Sequence, residues 1–330
     1  MSSTPSLKGI IVVADSDECV REPLIELLRL NSYQVIAVDN GEQAFEAVCS
    51  QPVDLVLLDV MMPGLTGITV CRAIKARPET RFLPVVLVTG LPCAENRIRV
   101  IEAGADDFLH KQVKQEELLA RVHSLVRLKR STDELESAET VLYTLARSIE
   151  AKDPYTEGHC DRLSRYTVSL AEKIGLSREV CNDLRRSGIV HDIGKVAVPE
   201  NVLLKPGSLD AAERKIMEKH TIIGERICAP LRSFRSVLPV IRSHHEKQDG
   251  SGYPDHLKGE EIPLTARILQ TMDIYDSLTT DRPYREALTP QKALEIMREE
   301  TRRGWWDADL VSALEGLLSD SPLKFSVASA

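Results

Sequence analysis

The sequence predicts two folds in series: an α/β doubly wound domain on a five-stranded parallel sheet and then an all-α domain, with a long helix between them. Three observations predict this. Over the first 125 or so residues, short apolar runs alternate with segments whose apolar residues recur at helical spacing, the pattern of βα units around a parallel sheet. After Gln115 the strand signals stop. Six of the eight histidines then fall between residues 159 and 256.

In chain order, "GIIVVAD", "YQVIAV", "VDLVLLDV", "LPVVLVTG" and "DDFLHK" are the strand candidates, and "ECVREPLIELLRLN" and "GEQAFEAVCSQ" read as helices between them. From Glu116 to about Lys152 the chain reads as one helix, apolar at Leu118, Val122 and Leu125 and again at Leu135, Ala138, Leu142, Leu145 and Ile149. The charged "KRSTDE" between these stripes reads as a solvated junction. The steps of three and four from Leu135 to Ile149 suit a coiled-coil dimer seam and a helix packed on its own chain equally well. Beyond Tyr155 the chain is mostly helical with loop inserts, "VPENVLLKPGS" and "HHEKQDGSGYPDHLKGEEIPL" among them, and "SPLKFSVASA" reads as a frayed tail.

Composition sets bounds. The 330 residues, 43% of them hydrophobic, suffice for two or three cored domains. The best apolar run, "VDLVLLDVMM", is cut by Asp54 and Asp59, so no membrane insertion is expected. The start "MSSTPSLKG" lacks an apolar signal core. Seven cysteines without a CxxC point to a reducing, cytoplasmic setting. The net charge of −8 argues against a surface for long nucleic acid, while a small phosphorylated ligand needs only a local cluster of cations.

In an open parallel sheet, ligands bind beyond the carboxyl ends of the strands. Asp15, Asp59, Thr89 and Lys111 stand at four such ends, a set able to hold a divalent cation and stabilise a phosphoryl group on Asp59. "LLDVMMPGLTG" and "GADDFLHK" resemble the flavodoxin-like, CheY-like receiver domain of two-component response regulators, over residues 8–128. The resemblance implies that Asp59 accepts phosphate from a sensor histidine kinase, that Asp15 binds Mg²⁺, and that Thr89 and Lys111 contact the phosphoryl group. Two departures stand out. Ala14 precedes Asp15 where receivers carry a second acid, a role Asp17 takes if the loop bends. Gln112 follows Lys111 where proline is usual. Phosphorylation is expected to be weak.

The helical half concentrates ligand-type side chains: His159, the doublet His191-Asp192 in "HDIGK", His220, the pair His244-His245 in "HHEKQDGSGYP", and Asp273 in "QTMDIYDSLTTDRPYR". Adjacent residues on a helix project about 100° apart, so His-Asp cannot chelate one ion as a facing pair. It can serve two. With Asp192 bridging, His159, His191 and Asp273 complete one position and His220, His244 and His245 the other. Nitrogen and oxygen donors without thiolate suit Fe, Mn, Zn or Ni, and paired ions suit phosphoester hydrolysis. Glu246 and Asp249 are expected to accept histidine N–H groups. Lys195 and the forks of Arg282 and Arg285 suit phosphates or guanine edges. Isolated His110, His123 and His256 read as ordinary core or surface residues.

"HDIGK" together with "HHEKQDGSGYP" resembles the HD-GYP family of the HD phosphohydrolase superfamily, over residues 140–325, with the connecting helix over 116–150. The resemblance implies hydrolysis of cyclic di-GMP to the linear dinucleotide and more slowly to GMP. It also implies a loop of Asp249, Gly250, Gly252, Tyr253 and Pro254, whose Gly-Tyr-Pro is associated with partners carrying a diguanylate cyclase domain. Members with a third metal place Glu where this chain has Tyr155, so two divalent transition metals, Fe or Mn first, are expected, with catalysis resting on Asp192 and Lys195. The whole reads as a phosphorylation-gated phosphodiesterase and homodimer. The alternatives are a silent cyclic-dinucleotide receptor or protein-interaction module, and a hydrolase of another guanine nucleotide.

Overall fold

A computed structural model of the chain describes residues 7–90, 101–152, 158–281 and 286–320. The chain divides into two compact units, Met1–Ala138 and Glu139–Ala330.

The first unit holds a parallel sheet of β1 (Gly9–Ala14), β2 (Tyr33–Val38), β3 (Leu55–Asp59), β4 (Val85–Thr89) and β5 (Asp107–His110) in the order β2-β1-β3-β4-β5. Every residue of β3 and β4 is buried, as a parallel sheet covered on both faces requires. Alternation along β1 divides the core. Val12 and Ala14 join Val56, Leu58, Ile68 and Ile74 on one face, while Ile11 and Val13 join Leu28, Leu55, Leu57, Leu118, Val122 and Val126 on the other. Helices α1 (Glu18–Leu30), α2 (Gly41–Ser50) and α3 (Gly67–Ala76) begin at Asp17, Asn40 and Thr66, whose side chains accept backbone N–H groups of the first turn.

Helix α4 (Gln115–Glu150) is continuous, including through "KRSTDE". There Lys129 pairs with Asp133 along the helix and Arg130 reaches Asp54 at 3.3 Å. Its second apolar stripe resolves in favour of packing within the chain from Leu142 onward: Leu142, Leu145, Ala146 and Ile149 pack against Val190, Ile193, Phe234, Val237 and Ile241. Leu135, at the head of that stripe, is exposed.

The second unit is helical: α5 (His159–Lys173), α6 (Arg178–Val190), a 3₁₀ turn (Ile193–Ala197), α7 (Glu200–Leu203), α8 (Ala211–Glu218), α9 (His220–Cys228), α10 (Leu238–Ser243), α11 (Leu264–Thr279), α12 (Pro290–Arg302) and α13 (Ala308–Asp320). Its main core gathers Leu163, Leu170, Leu184, Ile268, Met272, Tyr275, Met297 and Leu314. One boundary has no mark in the sequence. Within "AAERKIMEKH" one helix ends at Glu218 and His220 opens the next. The junction residue Lys219 keeps helical torsions, φ −65° and ψ −15°, so neither Gly nor Pro marks the break.

Gly194 is needed for a close approach. A Cβ there would lie 1.9 Å from the carbonyl oxygen of His220, so only glycine lets the turn after Asp192 rest against the start of α9. Among the described residues no helix is long and apolar enough to cross a membrane.

Candidate functional site

At the carboxyl edge of the sheet, Asp59 ends β3 and Thr89 ends β4, while Asp15 and Lys111 directly follow β1 and β5. Lys111 Nζ lies 2.7 Å from Asp15 Oδ2 and 3.0 Å from Asp59 Oδ2. All three acidic and hydroxyl groups are buried. Burial raises the Asp59 carboxyl above its ordinary range, against the hydrogen bonds from Lys111 and the Met61 N–H. Asp17 is used otherwise: its carboxylate accepts the Cys19 N–H at 2.9 Å as the cap of α1, and its own N–H donates to Asp15 Oδ1. Gln112 donates its N–H to His110 Nδ1.

The helical unit converges on Asp192, which sits between the end of α6 and the 3₁₀ turn. His191 Nε2 lies 3.3 Å from its Oδ2, whereas His220 Nε2 lies 3.2 Å and His244 Nε2 3.8 Å from its Oδ1. The two oxygens of one carboxylate thus face two groups of imidazoles. The ligand atoms of Asp192, His220, His244 and His245 all fall within 4.8 Å of one another, as do those of His159, His191 and Asp192. Asp273 joins the second group, with Oδ1 3.4 Å from His159 Nε2. Lys195 Nζ lies 2.5 Å from Asp192 Oδ2.

The tautomers follow from the hydrogen bonds. His191, His220 and His244 each present Nδ1 to the carbonyl oxygen three residues earlier, of Gly188 at 3.1 Å and of Met217 and Ile241 at 2.7 Å. A carbonyl only accepts, so Nδ1 carries a proton and each ring, when neutral, turns an Nε2 lone pair inward; burial opposes a charge on His191, but Asp192 beside it raises its pKa. His220 and His244 then face one another lone pair to lone pair at 3.4 Å. Burial lowers the pKa of His244 and drives that of His245 well below the histidine range, so a proton is a poor bridge. His191 Nε2 and Asp192 Oδ1 are buried without a hydrogen-bond partner of good geometry. Although burial opposes ionisation of Asp192, Lys195 and His191 hold its carboxyl well below its usual range. Inward lone pairs around an ionised carboxylate fit divalent metal, and a nitrogen and oxygen set without sulfur fits a transition metal.

Two expected roles are corrected. Glu246 does not accept a histidine N–H: it is fully buried, and its oxygens take the backbone N–H groups of Asp255 at 2.6 Å and Leu257 at 3.1 Å, closing the loop that follows the histidine pair. Asp249 is exposed and accepts the Ser251 N–H at 2.8 Å. Backbone carbonyls already fill the role assigned to both. In the loop, Gly250 has φ +81°, and a Cβ on Gly252 would lie 2.3 Å from the Lys247 nitrogen, so the chain turns there only without side chains. Tyr253 donates its N–H to the His245 carbonyl, and its ring lies 4.8 Å from that of His245, with Pro254 following. Arg282, Arg285 and Tyr155 lie outside the described residues.

Sequence reasoning missed Asp276. It is almost fully buried on α11, one turn after Asp273, and its Oδ2 takes His159 Nδ1 at 2.7 Å. Arg162 grips the same carboxylate, Nε to Oδ1 at 2.7 Å and Nη2 to Oδ2 at 3.0 Å. The available signal was spacing: Asp273 and Asp276, like His159 and Arg162, stand three apart on one helix face.

Comparison with known proteins agrees with both units. Residues 11–123 match the response regulator receiver domain and residues 143–310 the HD domain, a family that implies divalent metal binding. The "Cyclic di-GMP phosphodiesterase response regulator RpfG" of Xanthomonas campestris is 35% identical over 327 residues, spanning 92% of this chain and 86% of that protein. A "Cyclic di-GMP phosphodiesterase" of Thermotoga maritima is 33% identical, spanning 88% and 84%. A "3'3'-cGAMP-specific phosphodiesterase 3" of Vibrio cholerae is 38% identical over 188 residues, 57% of this chain and 41% of that protein. The sheet edge with its acid and lysine and the histidine cage around Asp192 therefore belong to one chain of a recognised kind, a response regulator in which a receiver domain precedes an HD domain.

Proposed function

We propose that the chain is a cytoplasmic enzyme that hydrolyses cyclic di-GMP to the linear dinucleotide, and more slowly to GMP, at the cage around Asp192. One observation carries the reading: the two oxygens of Asp192 face separate groups of inward lone pairs. His159, His191, Asp192 and Asp273 would hold one ion and Asp192, His220, His244 and His245 the other, iron or manganese first. Such ions, when bound, lower the pKa of water and offset charge on phosphoryl oxygens during in-line displacement. The residues do the rest. Carbonyl tethers keep the Nε2 of His191, His220 and His244 aimed inward, so little reorganisation of these rings accompanies the reaction. Lys195 holds Asp192 and is assigned to the phosphate and the proton of the leaving ester oxygen. As the water oxygen bonds to phosphorus and the ester P–O bond breaks, the ester oxygen departs with the Lys195 proton, and the proton shed by the water restores the charge of Lys195. Support for the substrate comes from the two long relatives, both named as cyclic di-GMP phosphodiesterases.

Chromatography of cyclic di-GMP incubated with metal-loaded protein tests this, with the linear dinucleotide as the expected product. Tight binding without product would instead establish a receptor. The relative named for 3'3'-cGAMP favours a second reading, a mixed cyclic dinucleotide as substrate. Competition between the two nucleotides at equal concentration separates them, and faster loss of cyclic di-GMP is expected.

Phosphorylation of Asp59 by a sensor histidine kinase, with Mg²⁺ on Asp15 and contacts from Thr89 and Lys111, is proposed to gate turnover. A coupling free energy of about 1–3 kcal/mol corresponds to a change of roughly 5–150-fold. A small-molecule phosphodonor is therefore expected to change the rate of the wild-type protein within that range and leave Asp59→Asn unchanged. Equal responses from both proteins would remove the gate and leave the hydrolase reading intact.

A further inference from the structure

The four tethered histidines are not held alike. His191, His220 and His244 each use a carbonyl of their own preceding turn. His159 is the first residue of α5, so no earlier turn of its helix offers that carbonyl. Its Nδ1 instead reaches across to Asp276 on α11, a charged acceptor in place of a neutral one. Arg162, one turn further along α5, closes on the same carboxylate through two nitrogens. Both side chains of this pair are shielded, at 12% and 2% exposure.

These contacts form two rungs between the same helices. The lower rung is the Arg162–Asp276 ion pair, a planar fork on a carboxylate. The upper rung is His159 and Asp273, whose Nε2 and Oδ1 stand 3.4 Å apart. Since each rung is three residues from the other on both helices, the lower one sets the distance and ring orientation of the upper one. A carboxylate behind a ligand histidine also makes its Nε2 a stronger donor than a carbonyl does. Behind His220 and His244 stand the neutral carbonyls of Met217 and Ile241.

The geometry points to Asp276 and Arg162 as positioning residues for one metal position only, that of His159, which makes the two positions of the centre chemically unequal. This rests on the reading of the cage as a two-ion centre. The ion on the His159 side would be held by two carboxylates and two imidazoles, one of them, that of His159, backed by a carboxylate, and the ion on the His220 side by one carboxylate and three imidazoles. Disturbing the lower rung weakens the first and spares the second.

The test is a spectroscopic titration of metal-free full-length protein with Co²⁺, joined to elemental analysis after dialysis. The variant is Arg162→Gln with Asp276→Asn, which keeps both shapes, lets the pair hydrogen-bond and leaves no unpaired buried charge. The wild type is expected to take up two ions. The double variant is expected to bind one as the wild type does and the other about 10–100-fold more weakly. Adding His245→Ala to the double variant is expected to leave no tight site, whereas His245→Ala alone leaves one. Two ions bound within twofold of wild type would overturn the proposal, and so would equal weakening of both. A wild type that takes up no Co²⁺ would instead fail the two-ion reading beneath it. If the double variant does not fold, Arg162→Lys, which keeps the charge and loses the fork, carries the same titration. Selective weakening of one ion then supports the proposal and two unchanged ions overturn it.

Discussion

Asp192→Asn is expected to lower kcat/KM for cyclic di-GMP on the order of 10³-fold, because paired ions contribute several kcal/mol to the transition state and each 1.36 kcal/mol is about tenfold. The substitution is nearly isosteric but turns one oxygen into an N–H₂ donor. That donor cannot satisfy an inward lone pair and hold a cation together, so one side of the cage loses its bridging oxygen whichever way the amide settles. It also removes the anion beside Lys195 Nζ. Elemental analysis should show fewer than two ions per chain alongside the loss of linear dinucleotide. A variant that turns over within tenfold of wild type would mean that Asp192 does not span two positions.

Removing metal should act on stability as strongly as on turnover. An ion present at 100 times its dissociation constant stabilises the folded state by about 2.7 kcal/mol. Two sites therefore contribute about 5 kcal/mol, and a unit of this size shifts by roughly 2–4 °C per kcal/mol, so a chelator is expected to lower its melting temperature by roughly 10–20 °C. With Mg²⁺ kept in excess, so that the ion proposed at Asp15 stays bound, the effect should be confined to the helical unit, Glu139–Ala330, which contains the whole cage. Calorimetry with and without chelator resolves this. A receiver transition that moves as far as the helical one would show that the ions do not reside where the cage places them.

Much of this was legible before any coordinates. The strand ends carrying Asp15, Asp59, Thr89 and Lys111 followed from period and turn residues, and Lys111 does reach both acids. The histidines could be grouped because ligand-type side chains are scarce in an otherwise apolar helical pattern. What sequence could not give was the set of partners behind the ligands. Every residue has a carbonyl, so Gly188, Met217 and Ile241 bear no mark of their task. Glu246 looked like a ligand's neighbour but folds its own loop, since its two oxygens suit two backbone donors as well as any imidazole. Asp276 was hidden for another reason. Its partners lie more than a hundred residues upstream, at His159 and Arg162, and only the packing of α5 on α11 brings them to it.

The main-chain tethers of His191, His220 and His244 have an evolutionary corollary. A carbonyl survives any substitution of the residue that owns it, so positions 217 and 241 can drift in side chain, as far as packing permits, without resetting a tautomer, whereas Gly188 is fixed by packing, since a Cβ there would lie 2.6 Å from the Ser164 nitrogen. Inheritance of the His220 and His244 imidazoles is thus buffered against point mutation at their tethers, whereas that of His159 depends on one codon at position 276.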